Sequence, residues 1–212
     1  MESSTRAGAA ESSSMDRRTA LASAIRWCSA SVAWALLVGA ASLAAGVAAA
    51  STALVGFGLD SLVDGGASAT LIWRFSHEQR ETRAADDLER RASHIVGAIL
   101  LVIAAYLAVR ATLSLIDGSG PESSAHGIAL TAASIVVLPV LAAMKLRLSS
   151  RLESQALHAD GVLSAAGAGL AAAALAGLAL SSAVDWWWAD SVAALVIALA
   201  LLREGVAAIR TA

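Results

Sequence analysis

Two aspartates, Asp60 and Asp64, stand in the middle of the apolar stretch 52–73. In a helix, the i, i+4 spacing puts both carboxylates on one face, a turn apart. Bare carboxylates that close repel, so either one keeps its proton or a cation settles between them. An ionised side chain at the centre of a bilayer helix costs about 2.5–3.5 kcal/mol on insertion scales, so such a pair needs a reason to exist. The pattern predicts a site for a hard or borderline divalent cation, or for protons exchanged against one. A polar clamp made by Ser or Thr hydroxyls of a neighbouring helix is the structural alternative. Gly56, Gly58, Gly65 and Gly66 flank the pair and let other helices come close to it.

A third acid, Asp160, lies in the apolar stretch 155–180, two residues after His158. Two residues turn a helix by about 200°, so these two side chains face different ways. Asp160 shares its face with Leu163, Ser164 and Gly167 and is a candidate third metal ligand, whereas His158 is expected at the membrane interface. Asp190 opens the last apolar stretch, where a negative charge suits the positive end of a helix. His77, His94 and His126 fall in or beside loops and are not ligand candidates. The single cysteine, Cys28, excludes an internal disulfide and a cysteine-built zinc cage.

The elements that position these acids follow from composition. Of 212 residues, 58% are hydrophobic and 15% charged, with a net charge of −2 and a mean hydropathy of +0.69. Disorder, a disulfide-rich secreted domain and a nucleic-acid binder are excluded. The remaining class is an all-α polytopic membrane protein. A span needs roughly 20 apolar residues, and six segments qualify, at about 25–47, 52–73, 92–115, 125–144, 155–180 and 187–209. Residues 1–24 read as a disordered cytoplasmic tail, because the run that follows is too long for the core of a signal peptide. Residues 25–210 form the six-helix transmembrane domain. Short breaks at 49–51 and 117–121 predict tight helical hairpins.

Orientation comes from the basic residues. All 15 Lys and Arg except Arg110 fall on one side: the N-terminal segment, the second-to-third link, the fourth-to-fifth link with Lys145, Arg147 and Arg151, and the C-terminal end. The opposite loops carry Asp117, Glu122 and Asp185. Both termini are therefore expected in the cytoplasm, in a multi-pass protein of the plasma membrane. Arg110 lies about a turn inside its helix and can snorkel outward. Trp186, Trp187 and Trp188 suit the outer interface and Trp27 and Trp73 the inner one, while Trp34 sits deeper than anchoring requires.

An enzyme is not expected. The run from Gly56 to Asp60 has one residue too many for the Gly-x-Gly-Asp of intramembrane aspartyl proteases, and Tyr106 is followed by Leu107, not by aspartate. No Gly-x-Ser-x-Gly elbow, His-Glu-x-x-His pair or phosphate-binding Gly-Lys motif is present.

From about 26 to 210 the chain resembles the transmembrane domain of the cation diffusion facilitator family. The likeness is carried by Gly56-Phe57-Gly58-Leu59-Asp60-Ser61-Leu62-Val63-Asp64, by Ser154-Gln155-Ala156-Leu157-His158-Ala159-Asp160, and by Trp188-Ala189-Asp190-Ser191 with Arg203-Glu204-Gly205. The resemblance implies six helices, cytoplasmic termini and secondary transport that exports a divalent metal against protons. It also implies a homodimer. Asp60 and Asp64 match half of the family's four-ligand site, and at its other two positions, His and Asp in the family, stand Leu163 and Gly167. A shorter, divergent branch is implied, without the metallochaperone-like cytoplasmic domain that usually follows the sixth helix. The partners implied are the bilayer, protons and a transported cation among Zn, Mn, Fe, Co and Cd, with no permanent cofactor and no nucleic acid. A site of Asp60, Asp64 and Asp160, completed by Ser164 or water, would be oxygen-rich and suit Mn, Mg or Ca better than Zn. The alternative is a non-transporting scaffold or regulatory subunit that keeps the fold, its Gly161, Gly167, Gly169 and Gly177 serving helix packing.

Overall fold

The computed structural model describes residues 2–76, 83–121, 124–184 and 186–211. They form α1 (Glu2–Ala48), α2 (Thr52–Ser76), α3 (Arg83–Asp117), α4 (Ala125–Leu152), α5 (Gln155–Val184) and α6 (Ala189–Thr211), with no strand among the described residues. His77, Arg80, Glu122 and Asp185 lie outside them.

Among the described residues four stretches are long and apolar enough to cross a membrane: Arg17–Ala48, Gly97–Asp117, Ala125–Leu152 and Ala156–Val184. The six apolar segments expected from the sequence coincide with the six helices. α2 and α6, which are not among these four, carry charge within their apolar runs, α2 at Asp60 and Asp64 and α6 at Asp190, Arg203 and Glu204. α2 compensates by position, packing against α1, α3, α5 and α6.

Helices outrun the apolar segments at several ends. Arg, Lys, Glu, Leu and Ala are all good helix formers, so leaving an apolar environment does not end a helix. Of the residues expected as a tail over 1–24, residues 2–24 belong to α1. Its 47 residues would reach about 70 Å, more than twice the roughly 30 Å of hydrocarbon. α4 likewise continues to Leu152, which leaves residues 153–154 as the whole link to α5. Lys145, Arg147 and Arg151 are therefore residues of α4, correcting their expected place in a loop.

The hairpins α1–α2 and α4–α5 close in the same way. Ala50 and Glu153 both adopt φ of 52°. The next amide reaches back five residues, Ser51 N to Gly46 O at 2.9 Å and Ser154 N to Ser149 O at 3.0 Å. This left-handed closure satisfies terminal carbonyls and turns the chain sharply. α4 begins on Ser124, whose hydroxyl accepts from Gly127 N at 3.1 Å. α2 is capped from another helix: the Asp190 carboxylate accepts from the Ser51 hydroxyl and, at 3.3 Å, from Ala53 N. Asp190 thus serves the N-terminus of α2 as well as its own helix.

Small residues set the spacing of α1 and α2. A Cβ on Gly58 would come to 3.0 Å from both Gly39 O and Leu43 N, so the backbones meet there without room for a side chain. The main core joins Leu54 and Phe57 of α2 to Leu107 of α3, Leu178 of α5 and Ile197 and Leu201 of α6. A second cluster, with Cys28, Leu71, Leu148 and Leu157, lies near the α4–α5 turn. Outward faces are apolar too: Val102 is 70% exposed and Leu199 59%. That inverts the pattern of a water-soluble bundle and suits lipid.

Candidate cation site

Every fourth residue of α2 from Asp60 faces inward: Asp60 is 4% exposed, Asp64 7% and Ser68 0%. On α5 the buried stripe is Asp160, Ser164 and Gly167. The two stripes pair in opposite directions. Ser68 donates to Asp160 at 3.0 and 3.2 Å, and Ser164 donates to Asp64 at 3.3 and 3.4 Å. Gly167 faces Asp60. Three rungs, each one turn from the next, therefore join α2 to α5.

Lys145 of α4 occupies the centre of the lower two rungs. It is completely buried, with Nζ 2.8 Å from Asp160 Oδ2. The same ammonium donates to Ser68 Oγ at 2.9 Å and Ser164 Oγ at 2.8 Å. An ammonium has three N–H donors, and each has its own oxygen here. Both serines accept from Lys145 and pass a hydrogen bond on, Ser68 to Asp160 and Ser164 to Asp64. Removing one partner of so buried a pair typically costs about 3–5 kcal/mol, because the other charge is left uncompensated.

Asp60 is differently placed. The hydrogen bonds that hold Asp64 and Asp160 stop short of it. It borders a narrow space of about 10 Å³ together with Trp34, Ala35, Ser61, Asp64, Leu138 and Gly167, at the threshold for a single water. Among the described residues the Trp34 indole Nε1 is buried without a hydrogen-bond partner, as is Glu204 Oε2. Glu204 stands within electrostatic reach of Asp60 and Asp64. The site therefore gathers negative charge at one end and compensates it at the other.

Of the three expected ligands, Asp64 and Asp160 enter one network through Lys145 and the two serines, and Asp60 lies beyond it. The Asp160 carboxylate is taken by Lys145. Among the described residues no group of three His, Cys, Asp or Glu is placed to hold a metal ion. His158 is exposed, beside a shallow groove with Ser149, Ser150, Glu153 and Ser154. His126 is exposed as well, and Leu163 is half-buried. Three participants were missed in the sequence: Lys145, Ser68 and Glu204. Ser68 continues the i, i+4 series of the aspartates, which is a signal that could have found it. For Trp34, its depth was that signal.

Apolar outward faces around a buried polar seam define a helical membrane protein whose interior handles charge. The chain belongs to the cation efflux family: the profile of the cation efflux transmembrane domain matches residues 29–212. No curated protein matches it. It is thus a metal cation transporter in kind, from a family of transporters and not of enzymes in the usual sense.

Proposed function

We propose that the protein is a six-span secondary transporter that exports a divalent cation in exchange for protons, with Asp60 and Asp64 as the carrying groups. The observation that supports this best is Asp60, a buried carboxylate that no hydrogen bond reaches among the described residues, beside a second carboxylate one turn away. Such a group is costly unless a cation or a proton compensates it. Because Lys145 compensates Asp160, the pair offered to the cargo is Asp60 and Asp64, whose charge one divalent cation balances. Two protons balance that pair equally, so exchange of metal for protons leaves the net charge of the interior the same in both states, with Glu204 unchanged beside it. Oxygen donors favour Mn over Zn here, with Fe, Co and Cd as competitors. α2 and α6 complete the six spans, with Asp60, Asp64 and Asp190 turned inward, and the one-sided distribution of basic residues supports cytoplasmic termini in a plasma-membrane protein.

One observation favours the scaffold reading: Ser164 and Ser68 clamp Asp64 and Asp160 with hydroxyls. The clamp does not extend to Asp60. Proteoliposomes with an imposed pH gradient decide between the readings. Wild type is expected to move Mn, and Asp60→Ala/Asp64→Ala to lose at least tenfold of the flux over empty vesicles. Equal flux in both, or none in either across the divalent panel, would remove the carrier role of the pair.

A further inference from the structure

Lys145 ends in an arrangement that resembles a ligand shell more than a chance ion pair. Its ammonium meets one carboxylate oxygen, Asp160 Oδ2 at 2.8 Å, and two hydroxyl oxygens, Ser68 at 2.9 Å and Ser164 at 2.8 Å. A second carboxylate, Asp64, stands behind the Ser164 hydroxyl. A lysine needed only for its stem would snorkel its head toward water, yet this one is completely buried. Asp160 supplies one negative charge and Lys145 one positive.

We infer that Ser68, Asp160 and Ser164 form a second cation cage, permanently filled by the protein's own Lys145 ammonium, and that removing this side chain opens the cage to a free monovalent cation. A small primary ammonium fits best, because it brings the same three donors to the same three oxygens. The tethered cation keeps Asp160 from joining Asp60 and Asp64 around the cargo. The cage rests on Lys145, Ser68, Asp160 and Ser164 alone and the readout is stability, so failure of metal transport would leave it standing.

The test uses the full chain in detergent, in choline buffer, whose bulky cation is too large for the cage. Lys145→Ala is expected to melt below wild type. Methylammonium at a hundredfold excess over its Kd should then raise its melting temperature by roughly 5–10 °C. Wild type and Lys145→Ala/Asp160→Asn should both be unmoved, the first because its cage is full and the second because its cage has no charge. An equal response of wild type and Lys145→Ala, or no response in Lys145→Ala, would overturn the cage. Should Lys145→Ala fold only in methylammonium, the cage is supported. Should it fold in neither buffer, the double variant decides: folding traces the defect to an uncompensated Asp160, whereas failure would mean that Lys145 acts by packing and would overturn the inference.

Discussion

Gly167 of α5 faces Asp60 of α2: a Cβ at position 167 would lie 3.8 Å from Asp60 Oδ2, with Leu138 Cδ1 at 3.5 Å. Both are ordinary contacts, so the position accepts a Cβ, from which a side chain would start beside Asp60. Gly167→Asp would bring a third carboxylate to the pair formed by Asp60 and Asp64. Titration calorimetry is expected to show divalent-cation binding at least tenfold tighter than in wild type, about 1.4 kcal/mol. Unchanged affinity would mean that Asp60 is not a cation ligand.

The opposite behaviour is expected at Gly58. There an added Cβ meets backbone atoms of α1 at 3.0 Å, and backbone does not yield as a flexible side chain would. Gly58→Ala should destabilise by about 1–3 kcal/mol. Gly66→Ala, with nothing within 4 Å of the new Cβ, should be neutral or stabilising. Thermal unfolding of both variants in one detergent makes the comparison, and similar melting temperatures would contradict the close approach of α1 and α2.

Asp190 caps α2 from α6, holding the Ser51 hydroxyl and the Ala53 amide. Asp190→Ala should cost about 0.5–2 kcal/mol, the usual worth of a helix cap. Asp190→Asn keeps an acceptor oxygen and should cost less. If hydrogen exchange at the start of α2 is no faster in Asp190→Ala, the cap is not holding that end.

Ala50 and Glu153 take the left-handed conformation at the two hairpin turns, a geometry that costs a residue with a Cβ about 1–2 kcal/mol. Ala50→Gly and Glu153→Gly should each raise stability by about 1 kcal/mol, less the entropy that glycine adds to the unfolded chain. A fall in melting temperature for both would show that the turns are not strained.

The helical character and the inward face of α2 were legible because apolar run length and i, i+4 spacing are local properties. The Asp160–Ser164–Gly167 stripe followed from the same periodicity. Lys145 was not legible in this way. Along the chain it sits at the edge of an apolar run beside Arg147, and charge counting assigns such residues to a loop. Only the left-handed turn at Glu153 brings α5 back along α4, and only then do Asp160 and Ser164 reach the ammonium. Asp190 shows the same limit, since its partners Ser51 and Ala53, at the start of α2, lie more than a hundred residues earlier. The extents of α1 and α4 escaped for another reason: apolarity marks where a chain suits lipid, not where its helix stops.

The three rungs between α2 and α5 make the seam electrically lopsided. At the Ser68 end a fixed ammonium cancels the carboxylate beside it, while at the Gly167 end no ion pair reaches Asp60 among the described residues. A single lysine thus makes the two ends of one helix pair electrically unlike, the Ser68 end neutralised from within and the Gly167 end lined by a carboxyl group that Lys145 does not reach.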